Sequence, residues 1–150
     1  MDSYLVMFAK RQSDVYFNEL DKLKKGQRPF NVLLIFPRLR CFAKNRKTEV
    51  LSIRDVDVAK EYLLHPVLGL RLIECCDALL EHDTATVKEM FGDIRLRQLY
   101  GSMTLFALVS HENSIFHKVI DRFFDGKLDN ETEEYIYLLE RLKNTIKIKQ

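Results

Sequence analysis

The chain has 150 residues, 47% of them hydrophobic and 11% aromatic, which suits one core-bearing domain. Its 24 Lys and Arg against 22 Asp and Glu leave a formal charge of +2, which excludes a general pull toward nucleic acid or an anionic membrane. Three cysteines without framework spacing, no apolar run near the ~18 residues of a membrane helix, and an N-terminus without a basic-then-apolar leader point to a reduced, cytoplasmic setting.

In chain order, Ser3 is placed to cap a first helix with Leu5, Phe8 and Ala9 inward. Ser13 is a second cap, for a helix carrying Val15, Tyr16, Leu20 and Leu23 and stopped by Gly26. Phe30 to Phe36 is short, apolar and partly β-branched, which alone reads as a strand. No second strand of that quality lies nearby to pair with it, so a short buried helix ending before Pro37 is expected. Leu39 to Ser52 is the longest connection and reads as irregular. Within Arg38 to Lys47 the basic residues Arg38, Arg40, Lys44, Arg46 and Lys47 read as a solvated loop rather than a phosphate patch.

Asp55 caps the next helix, with Val56, Ala59, Tyr62 and Leu63 inward. Proline disfavours α geometry at His65, so that helix ends near Leu64 and another begins at Pro66. Leu68, Leu72, Cys75, Cys76, Leu79 and Leu80 then form one helical stripe. Thr84 or Thr86 caps a short helix stopped by Gly92, and Arg95 to Ser110 follows with a wide apolar face. Asn113 or Ser114 caps Ile115 to Phe124, which Gly126 ends. Asn130 with Glu133 resembles a capping box for the last helix, and 145–150 is a basic, frayed tail beyond a body of 1–144.

The sum is a single all-α domain over 1–150, of about seven or eight helices. The expected core is Phe8, Leu20, Ile35, Tyr62, Leu68, Leu72, Leu79, Phe91, Leu99, Met103, Phe106, Phe116, Ile120, Phe124 and Leu138. Gly69 weakens its own helix by about 1 kcal/mol against alanine, which implies a close neighbour. The segment Ser102 to Phe106 is the candidate, and alanine at 69 is expected to be tolerated.

Several joined patterns stand out: His65-Pro-Val-Leu-Gly-x-Arg-Leu72, Ser102-Met-Thr-Leu-Phe106 and Phe123-Phe-Asp-Gly-x-x-Asp129, in that order. With Gln12, Tyr16, Glu19-Leu20, Gly26, Ile35-Phe36-Pro37 and Phe91-Gly92, they resemble the bacterial family called domain of unknown function 1810. The resemblance implies an all-helical domain and no established activity. The family pattern carries His-Trp-x-Trp where this chain holds Phe30, Asn31 and Leu33. It carries Asp and Lys where this chain holds Arg95 and Gln98, and a further Ser at Gly101. The chain therefore keeps the packing residues and replaces most of the polar ones that suit a ligand.

The candidate ligand residues are His65, Arg71, Arg95, Ser102 and Thr104. His65 can serve as a general base, though a cap at a helix junction is the plainer role. Arg71 offers a planar fork for phosphate or carboxylate, or a partner for Glu74. Ser102 and Thr104 point to different helix faces, and a bond to a helix carbonyl competes with ligand contact. Asp125 and Asp129 around Gly126 lack the spacing of a calcium loop, and His111 and His117 lack further zinc ligands. No cofactor or metal is implied. The reading is a module that binds a small ligand or a protein, away from membranes and nucleic acid. The alternative is a small hydrolase acting on a nucleotide-like or ADP-ribose-like ligand.

Overall fold

A computed structural model describes residues 3–149, with side chains over 4–146. The expected Ser3 cap and the side chains of Lys147 and Lys149 lie outside the described residues. The helices are α1 (Ser3–Ser13), α2 (Tyr16–Lys24), α3 (Val32–Ile35), α4 (Arg46–Glu49), α5 (Val56–Leu64), α6 (Leu68–Leu80), α7 (Thr84–Leu108), α8 (Ile115–Phe123) and α9 (Asn130–Lys149), with a 3₁₀ turn at Arg40–Phe42. Among the described residues the one β feature is a parallel bridge between Leu39 and Ile53. The all-α class holds. The two helices expected on either side of Gly92 run as one, α7, and Arg46–Glu49 coils inside the stretch read as irregular. There Asn45 and Thr48 cap one another's backbone amides, a capping box that starts the turn.

The centre of the molecule is the second half of α7. Residues 101–107 are all buried, so this helix is covered on every side. Helices α8, α9, α3 and α5 pack around it, and α6 packs on α2, α5 and α8. Gly92 breaks α7 with φ 69 and ψ 175, where the stop was expected. The break frees carbonyls that need donors. Arg28 supplies them, with Nε donating to Met90 O at 2.9 Å and Nη2 to Glu89 O at 3.3 Å.

The α5–α6 junction follows from His65-Pro66. The His65 N–H closes α5 on Glu61 O, while its Nδ1 accepts from the N–H groups of Val67 and Leu68 at 3.1 and 3.2 Å. Its carbonyl accepts from Gly69 N–H at 3.1 Å, so Pro66 and Val67 form a turn ahead of α6, which starts at Leu68 rather than at Pro66. The close neighbour of Gly69 is not the 102–106 segment. A Cβ there would lie 2.2 Å from the carbonyl oxygen of Leu63, on α5.

Gly26 closes α2 as expected, with Gly26 N–H to Leu23 O and Gln27 N–H to Lys22 O at 3.2 and 2.8 Å. Other caps differ from expectation. Ser13 bonds back to Ala9 O and ends α1, while α2 starts without a side-chain cap. Asp83, not Thr84 or Thr86, caps α7, and its Oδ1 accepts from Thr86 N–H at 2.8 Å. Asp129 rather than Asn130 holds the start of α9, through Thr132 Oγ1 at 2.7 Å. Asp83 and Asp129 each stand one position before the expected Thr84 and Asn130. Two expected core residues are not buried: Phe124 is half-buried and stacked on Tyr100, and Leu138 is 56% exposed. The backbone of α9 continues through the expected tail to Lys149.

Candidate functional site

Past its break, α7 runs for two turns, Asp93 to Tyr100, along the floor of a groove. A hollow of about 570 Å³ is walled by Arg38, Phe42, Lys44 and Glu131 over Ile94, Arg97 and Gln98. It shares Leu33, Ile94 and Gln98 with an adjoining hollow of about 410 Å³ that reaches Phe30, Asn31 and Arg95. From Arg97 a third hollow of about 540 Å³ continues past Tyr100 along the start of α9.

Sequence fixes each wall. Pro37 ends the α3 segment, and the Leu39–Ile53 bridge then pins the chain through Arg40 N–H to Ile53 O and Ile53 N–H to Arg38 O, both 2.8 Å. That holds Arg38 against Phe42, with the guanidinium carbon 5.4 Å from the ring centroid and Nη2 donating to Phe42 O at 3.4 Å. Phe42 meets Tyr135 of α9 edge-on at 5.1 Å. Thr104 Oγ1 accepts the Asp129 N–H at 3.0 Å, which sets the turn that carries Glu131.

Charge in the groove is mixed, with a cationic pair at its middle. Burial lowers the Arg38 pKa and the nearby Arg97 adds to that, against Cys41 and Asp129. The guanidinium stays protonated, half-buried near the exposed Arg97, with Asp129 and Glu131 offsetting the repulsion between the two cations.

The five candidate residues do not converge. Arg95 alone lines the groove. His65 is spent on the α6 cap. Arg71 lies 4.8 Å over the Tyr16 ring, and its Nη1 donates to Gln12 Oε1 and Ser13 Oγ, both 3.3 Å. Glu74 takes the Tyr16 hydroxyl instead, at 3.0 Å. Thr104 serves the α7–α9 turn, and Ser102 Oγ is buried without a hydrogen-bond partner. The departures from the family pattern do converge: Phe30, Asn31, Leu33, Arg95 and Gln98 all line the second hollow. A side chain at Gly101 would meet Thr132 Oγ1 at 3.6 Å and Arg38 Cδ at 3.7 Å.

The signature of a protein family described as protein of unknown function, DUF1810, matches residues 2–136. The chain belongs to the DUF1810 family. The crystal structure of the conserved hypothetical protein Rv1873 from Mycobacterium tuberculosis is similar, with a TM-score of 0.85 and 28% identity over 91% of this chain and 99% of that one. No curated protein matches the chain.

The retained DUF1810 residues of α1 and α2 have structural work. Gln12 Nε2 donates to Leu34 O at 2.8 Å and to Tyr62 Oη at 3.3 Å, tying α1 to α3 and α5. Glu19 accepts from the N–H groups of Phe30 and Asn31. Arg97 is the groove residue that reading the sequence missed. It sits two residues from Arg95 and Leu99 on a helix, and nothing local shows that Arg38 will line the same hollow. The basic run from Arg38 to Lys47 was the available signal, with Arg38 and Lys44 its contribution to the groove. Among the described residues no cluster of His, Cys, Asp and Glu could hold a metal ion, and no helix is long and apolar enough to cross a membrane.

Proposed function

We propose that this DUF1810 chain is a non-catalytic module that binds a small anionic ligand in the groove along α7. The observation that carries the reading is that half-buried Arg38 and exposed Arg97 line one hollow with an apolar floor. Leu33 is half-buried there and Ile94 is 76% exposed. A phosphate or carboxylate between the guanidinium groups, attached to a flat apolar body, matches both features. The replaced family positions support altered selectivity: Arg95 brings a cation where the family pattern has Asp.

A hydrolase acting on a nucleotide-like or ADP-ribose-like ligand is the second reading. It draws on Asp93 and Glu131, two carboxylates in the same lining that can activate water. Thermal-shift titration tests binding, and turnover of a bound ligand separates the two readings. Inorganic phosphate, ribose 5-phosphate, AMP and ADP-ribose are compared with chloride and sulfate at equal ionic strength, because excluded salts also raise stability. A specific ligand at 100 times its Kd stabilises by about 2.7 kcal/mol, and Arg97→Glu or Arg38→Gln removes that shift. No shift with any of the four, or a shift that both substitutions leave intact, sinks the binding reading. Turnover of a ligand that binds, lost in Glu131→Gln, replaces it with the hydrolase.

A further inference from the structure

Helix α9 carries two faces. One packs on the body through buried Thr132 and half-buried Ile136 and Leu139, and Lys143 pairs with Asp57 near the start of α5. The adjoining face holds Tyr135, Leu138, Leu142 and Ile146, exposed by 42%, 56%, 57% and 48%. Their steps of three, four and four residues make one continuous apolar stripe on the helix. Three of the four lie beyond residue 136, where the family match ends. The packing that DUF1810 members share therefore does not account for them.

We propose that this stripe docks a second copy of the same chain, α9 against α9 and antiparallel. Charge order on the helix selects both the occupant and its direction. From 130 to 139 the charged residues are Glu131, Glu133 and Glu134. From 140 to 149 they are Glu140 against Arg141, Lys147 and Lys149, with Lys143 already paired to Asp57. An antiparallel pair sets the acidic half of each helix beside the basic half of the other, while a parallel pair stacks like charges. The same arrangement puts Leu138 opposite the partner's Leu142, and Tyr135 opposite the partner's Ile146. Arg141, near the twofold axis, is turned toward its own Tyr137 ring, 5.8 Å from its centroid, and leaves the stripe clear. The contact is isologous and closes after two copies.

Sedimentation equilibrium of the full chain tests the proposal. The expected result is a concentration-dependent rise from 17.8 kDa toward twice that mass. Leu138→Glu with Leu142→Glu is expected to hold the protein at the monomer mass, with helical circular dichroism unchanged because both positions are exposed, and with a Tm that no longer rises with protein concentration. Glu134→Lys is expected to weaken association by about threefold, and adding Lys149→Glu to restore it. A monomer up to about 0.5 mM overturns the proposal. So does a dimer indifferent to the Leu138 and Leu142 substitutions, or one indifferent to charge reversal. Binding of a different protein by a chain that stays monomeric alone overturns it as well. None of these outcomes depends on the groove.

Discussion

Glu19 is a charged side chain placed inside the protein, 1% exposed. A carboxylate is kept there only if its lone pairs are met. Oε2 accepts the N–H groups of Phe30 and Asn31 at 2.9 and 3.1 Å, and Oε1 lies 3.3 Å from Lys22 Nζ. These bonds fix the turn that leads into α3 and so set Phe30 and Asn31 at the groove's edge. Glu19→Ala strips two buried amides of their acceptor and is expected to cost about 2–4 kcal/mol in urea unfolding. Glu19→Gln keeps an acceptor and is expected to lose roughly half as much. A loss below ~1 kcal/mol for the alanine variant would show that water reaches those amides. In the sequence Glu19 is one more polar residue on a helix that also carries Asn18, Asp21, Lys22 and Lys24. Its partners lie eleven and twelve residues on, past a glycine turn, so no local pattern exposes its role.

At the scale of elements, stops and stripes were legible and caps less so. Gly26, Gly92 and Gly126 all take positive φ at helix ends, which a glycine after an apolar stripe announces. The short buried helix α3 follows from arguing that a lone strand cannot satisfy its backbone. What passes beside Gly69 was not legible, because the sequence states that something must be close but not what. The neighbour is the last turn of α5, folded back by the tight His65-Pro66 junction, and its Leu63 carbonyl leaves no room for a methyl group. Alanine would gain about 1 kcal/mol of helix propensity at this site. A Cβ 2.2 Å from a backbone oxygen outweighs that gain, because neither helix can shift without opening the junction. Gly69→Ala is thus expected to lower stability by about 1–3 kcal/mol, against the tolerance its sequence suggests. A Tm equal to or above the parent's would refute the close approach of α5 and α6.

For the whole molecule, the core was largely readable and the groove was not. Periodicity reports which face of a helix is buried, but the groove is assembled from α7, the 38–48 loop and the α9 start, elements brought together only by folding. The same burial has a consequence in alkali. Tyr62 is fully buried, with its hydroxyl on Gln12, and burial raises its pKa. Burial also raises Tyr16, helped by Cys75 and Glu74. It pushes the Cys75 thiol up to about 12 and Cys76 well above its ordinary value. In the unfolded chain thiols titrate near 8.5 and phenols near 10. Between those values and the raised native ones, the unfolded state has lost protons that the native state still holds. Stability is therefore complete below about pH 8 and falls as pH rises, by about 1.4 kcal/mol per pH unit for each group titrating only in the unfolded chain. The thiols act first, Cys41 among them because burial pushes it up to about 11, and the phenols join above about pH 10. Urea midpoints are expected to hold steady from about pH 6 to 8 and to drop steeply by about pH 10. Cys75→Ala with Cys76→Ala is expected to lower stability at neutral pH through lost packing, yet to flatten the decline between about pH 8.5 and 10. A parent profile that stays level to pH ~10.5, or a double variant with the parent's slope, would mean these groups titrate alike in both states.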